Sequence, residues 1–152
     1  MNETQLFDQA KLWRSWLVGF LKNLPDEQLD VIPEGFNNNI RWNAGHVLVT
    51  WDKMMTSVLN EDSFLVSLYK DSFARGTSPK DWTSNPPLKE DLIEQLERQL
   101  DQIEKLSSSR LNQEIPFEMF HMKEVGEVCQ FLISHEAMHL SVMNSQKKML
   151  EL

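Results

Sequence analysis

Residues 123–150 read KEVGEVCQFLISHEAMHLSVMNSQKKML, and this stretch decides the fold class. Val128, Leu132, His135, His139, Val142, Gln146 and Met149 recur in steps of three and four, the repeat of one helix face. Two members of that stripe are histidines, placed one turn apart on the same side. A buried imidazole needs partners for its ring nitrogens. An ion bound by one nitrogen of each ring, with protein acceptors on the other nitrogens, meets that need.

Three earlier segments carry the same repeat. Leu6, Ala10, Trp13, Leu17, Phe20 and Leu24 mark a first helix, with Thr4 as its cap and Pro25 as its stop. Residues 26–39 hold Pro33, Gly35 and three successive asparagines and read as loop. Asn38 or Asn39 caps a second helix from about Ile40 to Asn60, with Ala44, Val47 or Leu48, Trp51, Met54 or Met55, and Val58 inward. Asn85-Pro86-Pro87 with Glu90 and Asp91 reads as a third helix start, followed by Leu88, Leu92, Leu96, Leu100, Ile103 and Leu106. A loop with Pro116 and His121 leads into the fourth helix. Four amphipathic segments without strand alternation predict an all-α, four-helix bundle forming a single domain over residues 1–152. Residues 61–87 form a long crossover containing one short helix, and connections of that length are often functional. The crossover allows the second and third helices to run parallel, in up-down-down-up order.

Composition narrows the function classes. The chain has 152 residues and a formal net charge of −8, which disfavours nucleic acid and anionic membrane surfaces as partners. The N-terminus lacks the basic start and apolar run of a signal peptide. No apolar run reaches membrane-spanning length. A single cysteine, Cys129, forms no internal disulfide and reads as a small buried hydrophobe. These features predict a cytoplasmic protein.

For a metal site, H-x-x-x-H alone does not separate ligands from packed histidines. His135-Glu136 also fits H-E-x-x-H, which would make Glu136 a general base beside zinc-bound water. A short chain with no cleft for an extended peptide speaks against a protease. A third ligand would be His46 or, in reserve, His121. On an ideal helix His46 falls off the line through Ala44, Val47, Trp51 and Val58, with Trp42 and Val49 nearer its side. Thr50 and Asn43 lie one turn to either side of His46; surface or capping roles suit them better than support of a ligand.

The segment Ile40-Arg41-Trp42-Asn43-Ala44-Gly45-His46-Val47-Leu48 resembles the helix-two signature of the DinB/YfiT-like superfamily. Phe131-Leu132-Ile133-Ser134-His135-Glu136-Ala137-Met138-His139 resembles its helix-four signature. Segment order, length and the long crossover extend the resemblance over essentially the whole chain. It implies an up-down-down-up bundle, often dimeric, with a divalent metal, commonly zinc or nickel, on His46, His135 and His139. It also implies kinship with thiol-dependent S-transferases and a thiol-dependent isomerase. Leu140-Ser141-Val142 departs from the small residue and Gln that commonly follow the last histidine. Metal binding therefore transfers more securely than activity.

Three imidazoles leave coordination positions open, as in catalytic rather than structural sites. The first expectation is a metal-dependent enzyme that transfers a low-molecular-weight thiol to a small electrophile, or else a hydrolase. Its rivals are a non-catalytic metal- or ligand-binding bundle and an interaction protein whose histidines merely pack. A homodimer is expected from the resemblance.

Overall fold

The computed structural model describes residues 3–106 and 108–151, with the side chains of residues 108 and 109 outside the description, as is that of residue 3. The chain forms helices α1 (Glu3–Lys22), α2 (Asp26–Leu29), α3 (Ile40–Leu59), α4 (Phe64–Phe73), α5 (Lys89–Glu104), α6 (Ser108–Leu111) and α7 (Val125–Leu150). A 3-10 turn spans Pro79–Asp81, and strands β1 (Glu114–Met119) and β2 (Met122–Glu124) precede α7. The architecture is therefore mostly helical, with one small antiparallel hairpin. Among the described residues, no helix is long and apolar enough to cross a membrane.

The four long helices pack on one another in a cycle: α1 on α5, α5 on α3, α3 on α7, and α7 on α1. One apolar cluster centres on Leu17, Leu21, Leu48, Phe73, Leu92 and Leu96, a second on Trp51, Met55, Val58, Val125, Val128 and Leu132. Burying apolar side chains at about 25 cal/mol per Å² supplies most of the stabilisation in such a core.

Several boundaries differ from the expectation. Residues 26–29 form a helical turn inside the expected loop. The segment with Pro116 and His121 is the β-hairpin, joined at its foot by Val125 N–H to Gln113 C=O at 3.0 Å. Its strands are too short and too exposed to show alternation. The first helix begins at Glu3, so Thr4 lies within it. The third helix starts at Lys89, where the Asp91 carboxylate accepts from Leu88 N–H at 3.1 Å. Asn85 and both prolines thus precede the helix, and Leu88 is exposed.

The inward faces of two helices are wider than the expected stripes: Leu6, Ala10, Leu17 and Leu24 of the first stripe and Val128, Leu132 and Gln146 of the last are buried as expected, and each face extends to one side of its stripe. In α1 the buried line includes Arg14, and in α7 it runs through Val125, Val128, Cys129, Leu132, Glu136, Leu140, Met143 and Gln146. His135 and His139 sit at the edge of that face, and Met149 is exposed. A charged residue reads as exposed unless its partner is known. Here the partners are each other: Arg14 Nε and Nη2 donate to the two oxygens of Glu136, both at 2.8 Å.

The crossover is better built than a linker. Ser63 caps α4, its Oγ accepting from Val66 N–H at 3.0 Å. Trp82 Nε1–H donates to Ser72 C=O at 3.0 Å, and its ring meets Phe73 edge-on. α4 thereby covers a second side of α3, which explains why Trp42 through Val49 are buried without a break.

Candidate metal centre

α3 begins at Asn39, whose side chain accepts from Trp42 N–H at 2.8 Å. That cap sets the phase of the first two turns, so that Asn43 and His46 follow on adjoining faces. Asn43 faces α7 and His46 faces α4. At Gly45 a Cβ would lie 2.5 Å from the Phe73 ring, so only glycine lets Phe73 rest on the α3 backbone. This close approach brings the carbonyl of Phe73 to 2.7 Å from His46 Nδ1. A carbonyl can only accept, so Nδ1 carries the proton and Nε2 of His46 keeps its lone pair, met only by the long contact from Thr50 Oγ1 at 3.4 Å. Trp42 stacks on the same imidazole, centroids 4.7 Å apart and planes within 8°.

The same logic orients His139. The Asn43 amide nitrogen donates to Asn39 C=O at 2.8 Å, Asn38 Oδ1 at 3.0 Å and Gln146 Oε1 at 3.1 Å. Its oxygen is thus left to accept from His139 Nδ1–H at 2.8 Å. Gln146, fully buried, is held by its own bond to Asn38 C=O at 2.7 Å. Asn43 therefore does more than the capping or surface role expected of it. His135 packs on Phe131 instead, and none of the described residues hydrogen-bonds its ring.

The structure brings His46, His135 and His139 together, with one ring nitrogen of each within 4.8 Å of the others. Centroids are 5.2 Å apart for His46–His135, 4.9 Å for His46–His139 and 4.5 Å for His135–His139. Imidazole nitrogens lie about 2.1 Å from a bound ion, so the three rings would have to draw closer to share one. Burial pushes all three imidazoles below the ordinary histidine range, His135 to about 4 and His139 to about 3, with His46 lowered less by the same cause. For His135 the neighbouring His46 lowers it further; for His139 both His135 and His46 do. The rings are thus neutral at pH 7, the form that binds metal. The donor set fits a transition metal: three neutral imidazoles, two of them fixed in tautomer by acceptors on Nδ1.

The remaining candidates fall elsewhere. His121 is exposed at the hairpin tip, 3.6 Å from Glu118, and takes no part in the cluster. Glu136 lies in the core on Arg14, turned away from the histidine edge, and cannot be the base that H-E-x-x-H suggests. Cys129 is buried against Met55, its thiol pushed up to about 12 by burial, so it is no thiolate nucleophile. Thr50 Oγ1 lies 3.4 Å from His46 Nε2, a weak contact. Sequence reasoning missed Gln146 and the Phe73 carbonyl as supports. The signal for the latter is Gly45, a small residue in a helix interior that marks a close neighbour.

Long helices that converge three neutral imidazoles on one point define a class of helical proteins with a histidine centre suited to a transition metal. More narrowly, the chain matches the family model of the DinB superfamily over residues 10–143 and belongs to that superfamily. It is also similar to a conserved protein of Enterococcus faecalis known from a crystal structure. That likeness has a TM-score of 0.70 and 13% identity, covering 98% of this chain and 97% of the other. At that identity it speaks for the fold alone. No curated protein matches the chain.

Proposed function

We propose that this protein is a divalent-metal enzyme that transfers a low-molecular-weight thiol to a small electrophile, with zinc or nickel held by His46, His135 and His139. The observation that carries the reading is the pinning of Nδ1–H on His46 and His139, which leaves both Nε2 lone pairs for a shared ion. When bound, such an ion supplies Lewis acidity that makes a coordinated thiol or water nucleophilic at neutral pH. The chain's own part is to hold the imidazoles neutral and oriented, through Phe73 C=O and Asn43. Trp42, the Phe73 ring and α4 keep water from the His46 side. No carboxylate or thiolate of the protein is needed as base, which agrees with Glu136 being committed to Arg14 and Cys129 being protonated.

The same reading includes a single domain with the long helices in up-down-down-up order. Contacts between Asn43 and Gln146 and between Met55 and Cys129 support antiparallel α3 and α7. Lys22–Glu97 and Lys11–Glu104 support antiparallel α1 and α5. Arg41 on Pro87 C=O and Gln99 on Leu48 C=O support parallel α3 and α5. A cytoplasmic homodimer is part of the proposal; Leu12 and Trp16, exposed one turn apart on α1, offer a surface for a second copy. Small molecules rather than nucleic acid or membranes are the partners proposed for so acidic a chain.

The test loads the protein with zinc or nickel and follows attack of several thiols, and of water, on a panel of small electrophiles. Acceleration by a thiol that is lost in the triple His46, His135, His139→Ala variant and kept in Cys129→Ser supports the transferase. Response to water alone would replace it with a hydrolase. Equal rates for the loaded protein and the triple variant would leave a non-catalytic metal-binding bundle.

A further inference from the structure

The histidine centre is walled on one side and bordered by solvent on the other. His46 is buried against Trp42 and hydrogen-bonded to Phe73, while Asn43 holds His139 from α3. His135 faces Phe131, with ring centroids 6.2 Å apart and planes at 26°. Phe131 stacks in turn on Phe120 of the hairpin, at 5.5 Å and 29°. Phe131 is 36% exposed and Phe120 is 70% exposed, so a short aromatic ladder leads from the centre to solvent.

The backbone beneath Phe120 is unusual. Met119 pairs with Met122 across the hairpin, which makes Phe120 and His121 the two central turn residues. Both have positive φ, 49° and 62°. A two-residue turn of this kind favours Asn-Gly, and a bulky side chain there is an outlier. The core does not require it, because the Phe120 ring lies outside both apolar clusters. The rest of the hairpin, by contrast, is anchored: Ile115 near its foot and the turn-closing pair Met119 and Met122 pack on the second apolar cluster. An anchored hairpin thus carries a strained two-residue turn whose result is one exposed aromatic ring stacked on Phe131, the neighbour of His135, and such strain clusters at ligand sites.

We infer that Phe120 and Phe131 form an apolar subsite of the three-histidine centre, and that the electrophile carries a flat apolar group lying against these rings. The inference rests on the metal reading above, since the aromatic ladder begins at His135, one of the three residues that would hold the ion. Flat apolar groups gain from offset stacking on exposed rings as well as from burial. Phe120 and Phe131 are specificity-determining residues in this account and hold no metal.

Titration of the nickel-loaded protein with acetohydroxamate and benzohydroxamate tests both layers. The two probes share the metal-binding group and differ in the flat apolar one. Wild type should prefer benzohydroxamate by about tenfold more than the variant Phe120→Asn/His121→Gly does, the scale expected for burying part of a phenyl ring. That variant places the favoured residues in the turn, so its thermal midpoint should not fall, and its metal content and acetohydroxamate affinity should be unchanged. Phe131→Leu, which leaves the turn alone, should reduce the preference in the same direction. If acetohydroxamate binds and both variants keep the wild-type preference, the subsite is wrong while the open centre stands. If the loaded protein binds neither probe, the open centre fails and the subsite with it. A change in oligomeric state on altering the tip, with the preference retained, would overturn the subsite in favour of a contact between copies.

Discussion

Among the described residues, two polar clusters between the long helices differ in what they leave unused. The first is Arg14 with Glu136. Arg14 reaches both oxygens of Glu136, Leu96 C=O at 2.7 Å and Gln99 Oε1 at 3.1 Å, and lies 5.5 Å from the Trp51 ring centre. Gln99 passes the chain on to Leu48 C=O at 3.0 Å. The cluster ties α1, α5, α7 and α3 together and is closed, with both charged side chains 2–3% exposed. The second cluster, His46, His135 and His139, hydrogen-bonds outward through Nδ1 of His46 and His139 and leaves nitrogens facing one another. A saturated polar cluster holds helices; an unsaturated one with converging ring nitrogens could hold a metal ion. The same helix α7 supplies both, through adjacent residues 135 and 136.

This contrast can be broken most directly at Glu136. Glu136→Ala should destabilise the protein by about 3–5 kcal/mol in urea unfolding, because it leaves Arg14 buried without its counterion. Arg14→Met combined with Glu136→Leu should recover most of that loss, since a packed apolar pair is often neutral or better than a buried ion pair. A fully stable Glu136→Ala would mean that the closed cluster is not structural.

The open cluster should respond in metal binding instead of in stability. Wild type should carry close to one divalent ion per chain by elemental analysis of untagged protein, and His46→Ala, His135→Ala and His139→Ala should each lose high-affinity binding. His121→Ala should keep it. Retention by His46→Ala would remove the third ligand from the proposal.

A smaller effect separates ligand from support. Asn43→Leu removes the acceptor for His139 Nδ1–H and should weaken metal affinity by about 10–100-fold. Gly45→Ala should act on His46 in the same direction by pushing Phe73 away. Competition against a chelator of known affinity measures both. Unchanged affinity in Asn43→Leu would show that the tautomer of His139 needs no fixing.

A further expected effect is a pH slope in the metal-free protein. The histidine pKa values are lower in the folded chain than the ordinary 6.5, about 4 for His135 and about 3 for His139. The unfolded chain therefore takes up protons first as pH falls below 6.5, and stability is lost with it until the folded rings also protonate. Urea midpoints between pH 7 and pH 5 should decline in wild type and decline less in His135→Gln/His139→Gln. Parallel slopes would place the acid sensitivity elsewhere.

Residue types and their spacing were enough to read the long helices, because a repeat of three and four apolar residues is a local property of the chain. The paired histidines of α7 were legible for the same reason. So were an asparagine cap, read as Asn38 or Asn39, and the crossover helix, whose breakers and aromatics lie close in sequence. The hairpin was not, since its short, exposed strands carry no alternating pattern and its turn lacks the residues that such turns favour.

What the tertiary structure decided depends on partners far apart in the chain. Arg14 and Glu136 lie 122 residues apart, and neither reads as buried until its partner is known, so the expected stripes of both helices left them out. His46 fell off the main apolar line of its helix, with Trp42 and Val49 alone hinting at a second apolar side. Only the docking of α4 on Gly45 gave it a second buried side and an acceptor for Nδ1. Local periodicity is set by the backbone, and it announced the helices. Which polar groups are spent on each other, and which remain free for a ligand, is set by contacts that no local pattern contains.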